Sequence, residues 1–174
     1  MGRAKRTGTP PRPPQPPRAA PPPPRPVPGS RRAPASGGPL TLAALSRRPC
    51  LALDDADLRS ARLRIFTDGT ETDYDAKSCQ WGAGGGLVSF TPYASKDQTK
   101  AAEFSDLTRR NISGNRALLG SVTEHGRTMY VLLVSVGGNR SFRLDVLPGE
   151  GDAPASDGPA LATDFAKAIL AHLR

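Results

Sequence analysis

Two cysteines, two histidines, a glycine run and an acidic cluster are the residues of this 174-residue chain whose types and spacing bear on chemistry. Cys50 and Cys79 alone cannot furnish a four-ligand zinc site, so no metal is expected, and as thiols they read as free side chains facing a core. A hydrolytic triad needs a nucleophile, a base and a group that orients the base. His125 falls in a turn, and His172 lies near the C-terminal end of a helix, where a cation suits the dipole. Neither is placed for catalysis, so neither enzymatic activity nor a cofactor is expected. Gly82-Ala-Gly-Gly-Gly86 lacks the Lys-Ser or Lys-Thr ending of a phosphate-binding loop and sits between two strand-like runs. It reads as a hairpin tip, and Gly82, Gly84, Gly85 and Gly86 form a candidate binding loop. Asp68, Glu71, Asp73 and Asp75 lack the spacing and terminal bidentate Glu of a calcium loop and read as a solvated loop. Asp54, Asp55 and Asp57 are accounted for by helix capping.

The elements that must position these residues occupy one part of the chain. Residues 1–49 contain 15 of the 19 prolines, ten Arg or Lys, and no acidic or aromatic residue. Residues 50–174 carry 14 basic and 16 acidic side chains and every aromatic, so the net charge of +8 is a +10 tail added to a −2 body. Proline locks φ and removes donors, and nothing apolar here can pack. Residues 1–46 therefore read as a disordered Pro/Arg-rich tail or linker, and residues 47–174 as a single domain. Three roles for the tail stay open. A basic arm binds nucleic acid through phosphates, Pro13-Pro-Gln-Pro-Pro-Arg18 fits a P-x-x-P-x-R peptide ligand, and a plain linker needs neither. No run is long enough for a transmembrane span, and the basic start is followed by proline rather than by the apolar core of a secretory leader.

Periodicity and punctuation give the body an α+β reading. Asp54 caps a short helix through Leu58 to Arg62; Ser78 to Trp81 and Leu87 to Tyr93 form a hairpin; Gln98 to Arg110 has near-helical spacing. Arg116 to Glu124, Thr128 to Val136 and Ser141 to Leu147 are strands joined by short turns. Leu161, Phe165, Ala168, Ile169 and Leu173 stripe a final helix that Pro159 opens after Asp157 or Gly158. The expected architecture is a mostly antiparallel sheet of about five strands with two or three helices packed on one face.

Pro49-Cys50, a short apolar step, a capped helix, then Cys79-Gln-Trp81 and an apolar strand resemble the actinobacterial cell-envelope lipoproteins called domain of unknown function 3558. The similarity runs in order over residues 49–173, through Gly114-Asn-Arg-Ala117 to the Ala-rich final helix. The resemblance implies a Cys50–Cys79 disulfide, with Trp81 packing over it as a core aromatic. Closing a loop of this length stabilises a fold by roughly 3.5 kcal/mol on the chain-entropy model. The chain departs from the family in lacking a second cysteine pair, and no lipidation cysteine precedes Cys50. The resemblance further implies a non-enzymatic domain in the cell envelope or otherwise outside the cytoplasm, whose partner is an unidentified protein or small ligand. The alternative is a cytoplasmic nucleic-acid-associated protein that uses its basic arm.

Overall fold

The computed structural model describes residues 40–73, 76–100, 106–149 and 158–173. The tail as far as residue 39, with its basic and proline-rich motifs, lies outside the described residues. Seven strands dominate the fold: β1 (Thr70–Asp73), β2 (Lys77–Ala83), β3 (Gly86–Tyr93), β4 (Thr108–Ile112), β5 (Asn115–Glu124), β6 (Arg127–Gly137) and β7 (Arg140–Leu147). Three α-helices accompany them, α1 (Leu42–Leu45), α2 (Asp55–Leu58) and α3 (Gly158–His172), with a 3-10 helix at Pro49–Ala52.

Turn chemistry explains why these strands meander. Gly84-Gly85, Ser113-Gly114, His125-Gly126 and Gly138-Asn139 each link two paired strands, and all eight residues have positive φ. Two-residue turns of this kind match the right-handed twist of the strands they join. Asn111 Oδ1 accepts the Gly114 N–H at 3.1 Å, which props one of them. Every pairing is antiparallel, in the order β1-β2-β3-β7-β6-β5-β4. The chain leaves β3, crosses to the far edge, and returns through three hairpins until β7 seats beside β3.

Pleating then sorts the side chains. Cys79, Phe90, Leu144, Leu132 and Leu119 stand abreast on five neighbouring strands, beside the row Trp81, Val88, Val146 and Tyr130. These rows join Leu161, Phe165 and Ile169 of α3 and Leu42 and Leu45 of α1 in one core. The Phe165 ring lies 5.8 Å from that of Trp81, and the Phe90 ring 5.6 Å from that of Phe142. Each such side chain contributes roughly 1.5–3 kcal/mol through burial.

The structure departs from the sequence reading in five places. The sheet has seven strands rather than about five; the additions are β1 and β4, both polar edge strands with no apolar alternation to reveal them. β1 occupies part of the acidic stretch that reads as a loop, and pairs Glu71 with Cys79. Thr108 to Arg110, assigned to a helix, belong to β4, because the Ser113-Gly114 turn folds them onto β5; residues 101–105 lie outside the described residues. α2 ends at Leu58, four residues before Arg62. Residues 40–46, assigned to the tail, are part of the fold: Leu42 and Leu45 are buried, and Leu40 forms a parallel bridge with Leu173.

Cys50 and Cys79 are joined by a disulfide with 4.9 Å between their Cα atoms. Gly69 passes directly over it. A Cβ there would stand 2.6 Å from Trp81 Nε1, 2.7 Å from Cys79 Sγ and 3.1 Å from Cys50 Sγ. Gly69→Ala is therefore expected to cost about 1–3 kcal/mol through overpacking, read as a lower urea midpoint at unchanged m-value. A wild-type midpoint would show that the disulfide and the indole have room to yield.

Candidate functional site

α3 and β4, with Leu119 of β5, border an open groove of about 390 Å³. Buried Ile112 and Leu119 give it an apolar part together with Pro159 and Ala160. Arg110 comes from the strand, and Thr163, Asp164 and Lys167 from the polar side of the helix. The Thr163 hydroxyl donates to the Pro159 carbonyl at 2.8 Å. Apolar surface beside a few convergent polar groups makes this groove the candidate binding surface. Asp164 and Lys167 also line a second pocket of about 240 Å³ with Asp57, Ser60, Arg62, Leu63 and Ala168, so one helix face serves both.

At the end of that second pocket α2 and α3 are clasped. Asp54 Oδ1 accepts the N–H groups of Ala56 at 2.7 Å and Asp57 at 2.9 Å, while Asp57 Oδ2 accepts the Asp54 N–H at 3.3 Å. This is a reciprocal capping box. His172 Nε2 lies 2.6 Å from Asp57 Oδ2 and 4.0 Å from Asp54 Oδ2. The Asp57 N–H holds the Asp54 carboxyl below its ordinary value; burial opposes this, and the Ala56 N–H and the His172 and Arg59 charges reinforce it. Ligand atoms of Asp54, Asp57 and His172 lie within 4.8 Å of one another, a mixed set of carboxylate and imidazole donors of the kind that suits a divalent cation. The contacts already made account for the cluster as a clasp between helix ends. Sequence reasoning explained these carboxylates by capping and His172 by the dipole, and no spacing signal marked their convergence across 115 residues.

The opposite face of the sheet has its own polar centre. Asp97 comes from the connection between β3 and β4 and is buried. Its Oδ1 accepts the Thr99 N–H at 3.1 Å and the Thr99 hydroxyl at 2.6 Å, and its Oδ2 accepts from Ser135 at 2.9 Å and from the Arg116 guanidinium at 3.3 Å. Ser141 adds two bonds, accepting the Gln98 N–H and donating to the Lys96 carbonyl. Burial pushes the Asp97 carboxyl up, but the Thr99 and Ser135 hydrogen bonds and the Arg116 charge outweigh it, and the net shift is downward. Asp145, on the same face, goes the other way: burial raises it despite a bidentate ion pair with Arg143 at 2.6–2.9 Å.

The glycine run proves to be mostly strand. Gly82 ends inside β2, where a Cβ would strike the Phe66 ring at 2.6 Å, and Gly86 opens β3 against the Leu147 carbonyl. Only Gly84 and Gly85 form the turn itself. Trp81 is fully buried. The structure brings Cys50, Cys79 and Trp81 together beside Gly69, and leaves the glycine turn apart from both the groove and the clasp.

Comparison with known proteins adds one finding. The family model described as Protein of unknown function (DUF3558) matches residues 3–172. No curated protein and no solved structure matches the chain.

The Asp97 shift fixes the sign of a pH dependence. A carboxyl whose folded pKa lies below its unfolded value contributes stability that is fully present above the unfolded value, near 3.9, and lost as pH falls through the folded one. Asp97→Asn is expected to cost about 2 kcal/mol at neutral pH and to flatten the acid limb of the stability profile. Urea unfolding followed from pH 7 downward checks both; an unchanged acid limb would remove Asp97 from the account.

Proposed function

The chain belongs to the DUF3558 family, and from that premise we propose that it is a non-enzymatic binding domain of the cell envelope or exterior, taking its ligand in the groove between β4 and α3. The observation that carries this reading is the Cys50–Cys79 disulfide, which is part of the core and ties the chain before α2 to β2. Structural disulfides persist where the surroundings are oxidising, so a fold built around one belongs outside a reducing cytosol. Among the described residues, no helix is long and apolar enough to cross a membrane. His172 closes the clasp with Asp57 and His125 occupies a turn at φ 51°, so neither histidine lines the groove, which favours binding there over turnover. The groove combines Arg110, Lys167 and Asp164 with apolar surface, which suits a small ligand or peptide segment of mixed polarity.

Mass spectrometry of the protein from its native host, alkylated with and without prior reduction, tests the location. The expected outcome is recovery from a membrane or secreted fraction, with Cys50 and Cys79 blocked to alkylation until reduced. Full-length protein in the cytosol with both thiols alkylated directly would overturn the proposal, and would make the basic arm and nucleic acid the leading reading.

A further inference from the structure

We propose that copies of this domain associate head to tail, the β1 edge of one continuing the sheet at the β4 edge of the next. β1 and β4 are the two ends of the strand order, and each pairs with one neighbour only. Their outward backbone groups have no hydrogen-bond partner among the described residues. On β4 the register identifies them. The two-residue turn makes Ile112 and Asn115 a hydrogen-bonded pair, so alternation along the ladder turns the N–H and C=O of Arg109 and Asn111 away from β5. An edge of this kind is a template for another strand.

The side chains on the two edges carry opposite signs. β1 reads Thr70-Glu-Thr-Asp73, and β4 reads Thr108-Arg-Arg-Asn-Ile112. Glu71, Asp73, Arg109 and Arg110 are all exposed, and none forms an ion pair with a described residue. Charge on a sheet edge blunts association when both edges share one sign. Here it selects between modes. β1 against β1 would oppose carboxylates, and β4 against β4 would oppose guanidinium groups, so a symmetric dimer across either edge is disfavoured. β1 against β4 is attractive. That contact is heterologous, leaves one edge open at each end, and so repeats. Because neighbours alternate in direction through seven strands, β1 and β4 point the same way. A copy displaced along the sheet offers a parallel pairing, and one rolled over by half a turn offers an antiparallel one. With four residues on one edge and five on the other, the contact is short, weak and sensitive to salt.

Sedimentation of the full chain at rising concentration, in low salt and in about 0.5 M salt where the Debye length is about 4 Å, tests the proposal. The expected weight-average mass rises by about twofold or more in low salt, as an open-ended contact requires, and returns to that of the monomer in high salt. E71K/D73K makes both edges basic and R109E/R110E makes both acidic, so each variant alone is expected to stay monomeric. Their equimolar mixture is expected to associate again. The neutral pairs E71A/D73A and R109A/R110A serve if a reversal unfolds the chain, as circular dichroism would show, and each is expected to reduce association. A wild type that is monomeric throughout, or a mixture that is, would overturn the proposal. So would R109E/R110E associating like the wild type, which would make the basic N-terminal residues the partner of the acidic edge.

Discussion

The ladder between β3 and β7 is the contact on which the other elements depend. Among the described residues it is the only strand pairing between segments distant in the chain, and it joins residues as far apart as Leu87 and Leu147. On one side lies the group β1 to β3, and on the other the meander β4 to β7, and within the sheet nothing else connects them. Such a contact forms only after a long loop has closed, so each face of the ladder needs its own reinforcement. One face has the Phe90–Phe142 ring contact. The other has Ser141, which holds the crossing connection through Lys96 and Gln98 beside the Asp97 centre. The groove inherits its walls from this arrangement, since β4 opens the returning meander and α3 follows β7.

Two carboxylates on that outer face, Asp97 buried and Asp145 partly buried, show how environment rather than residue type sets the balance of charge. Asp97 collects four hydrogen bonds from neutral and cationic donors and stays ionised more readily than a free carboxyl. Asp145 has one strong partner, Arg143, and burial prevails. A single ion pair seldom repays the desolvation of both members, whereas a carboxylate supplied with several donors loses little by leaving water. The crossing connection is thus held by the carboxylate with the greater number of protein donors.

What could be read in the sequence follows the strength of the local signal. β5, β6, β7, the β2–β3 hairpin and the striped part of α3 were legible because apolar alternation or helical spacing met turn residues at their ends, as at His125-Gly126. β1 and β4 were not. Thr70-Glu-Thr-Asp73 buries nothing and owes its conformation to β2 alongside it, and the spacing of Gln98 to Arg110 suggested a helix that the pairing of Thr108 to Arg110 with β5 overrides. Leu42 and Leu45 were hidden by the prolines before them. At the candidate site, Arg110, Asp164 and Lys167 carried no motif, because a groove between a strand and a helix distant in sequence exists only once β5 and β7 are in place. Capping chemistry was visible at Asp54 and Asp57, while their meeting with His172 was a product of tertiary packing alone.

The bridge between Leu40 and Leu173 places both ends of the described domain side by side. Its mechanical consequence is that residues 40 and 173, where the described domain begins and ends, lie at one point. A pull applied between those two residues would load that bridge and the seats of Leu42 and Leu45 first, leaving the seven strands outside the line of force.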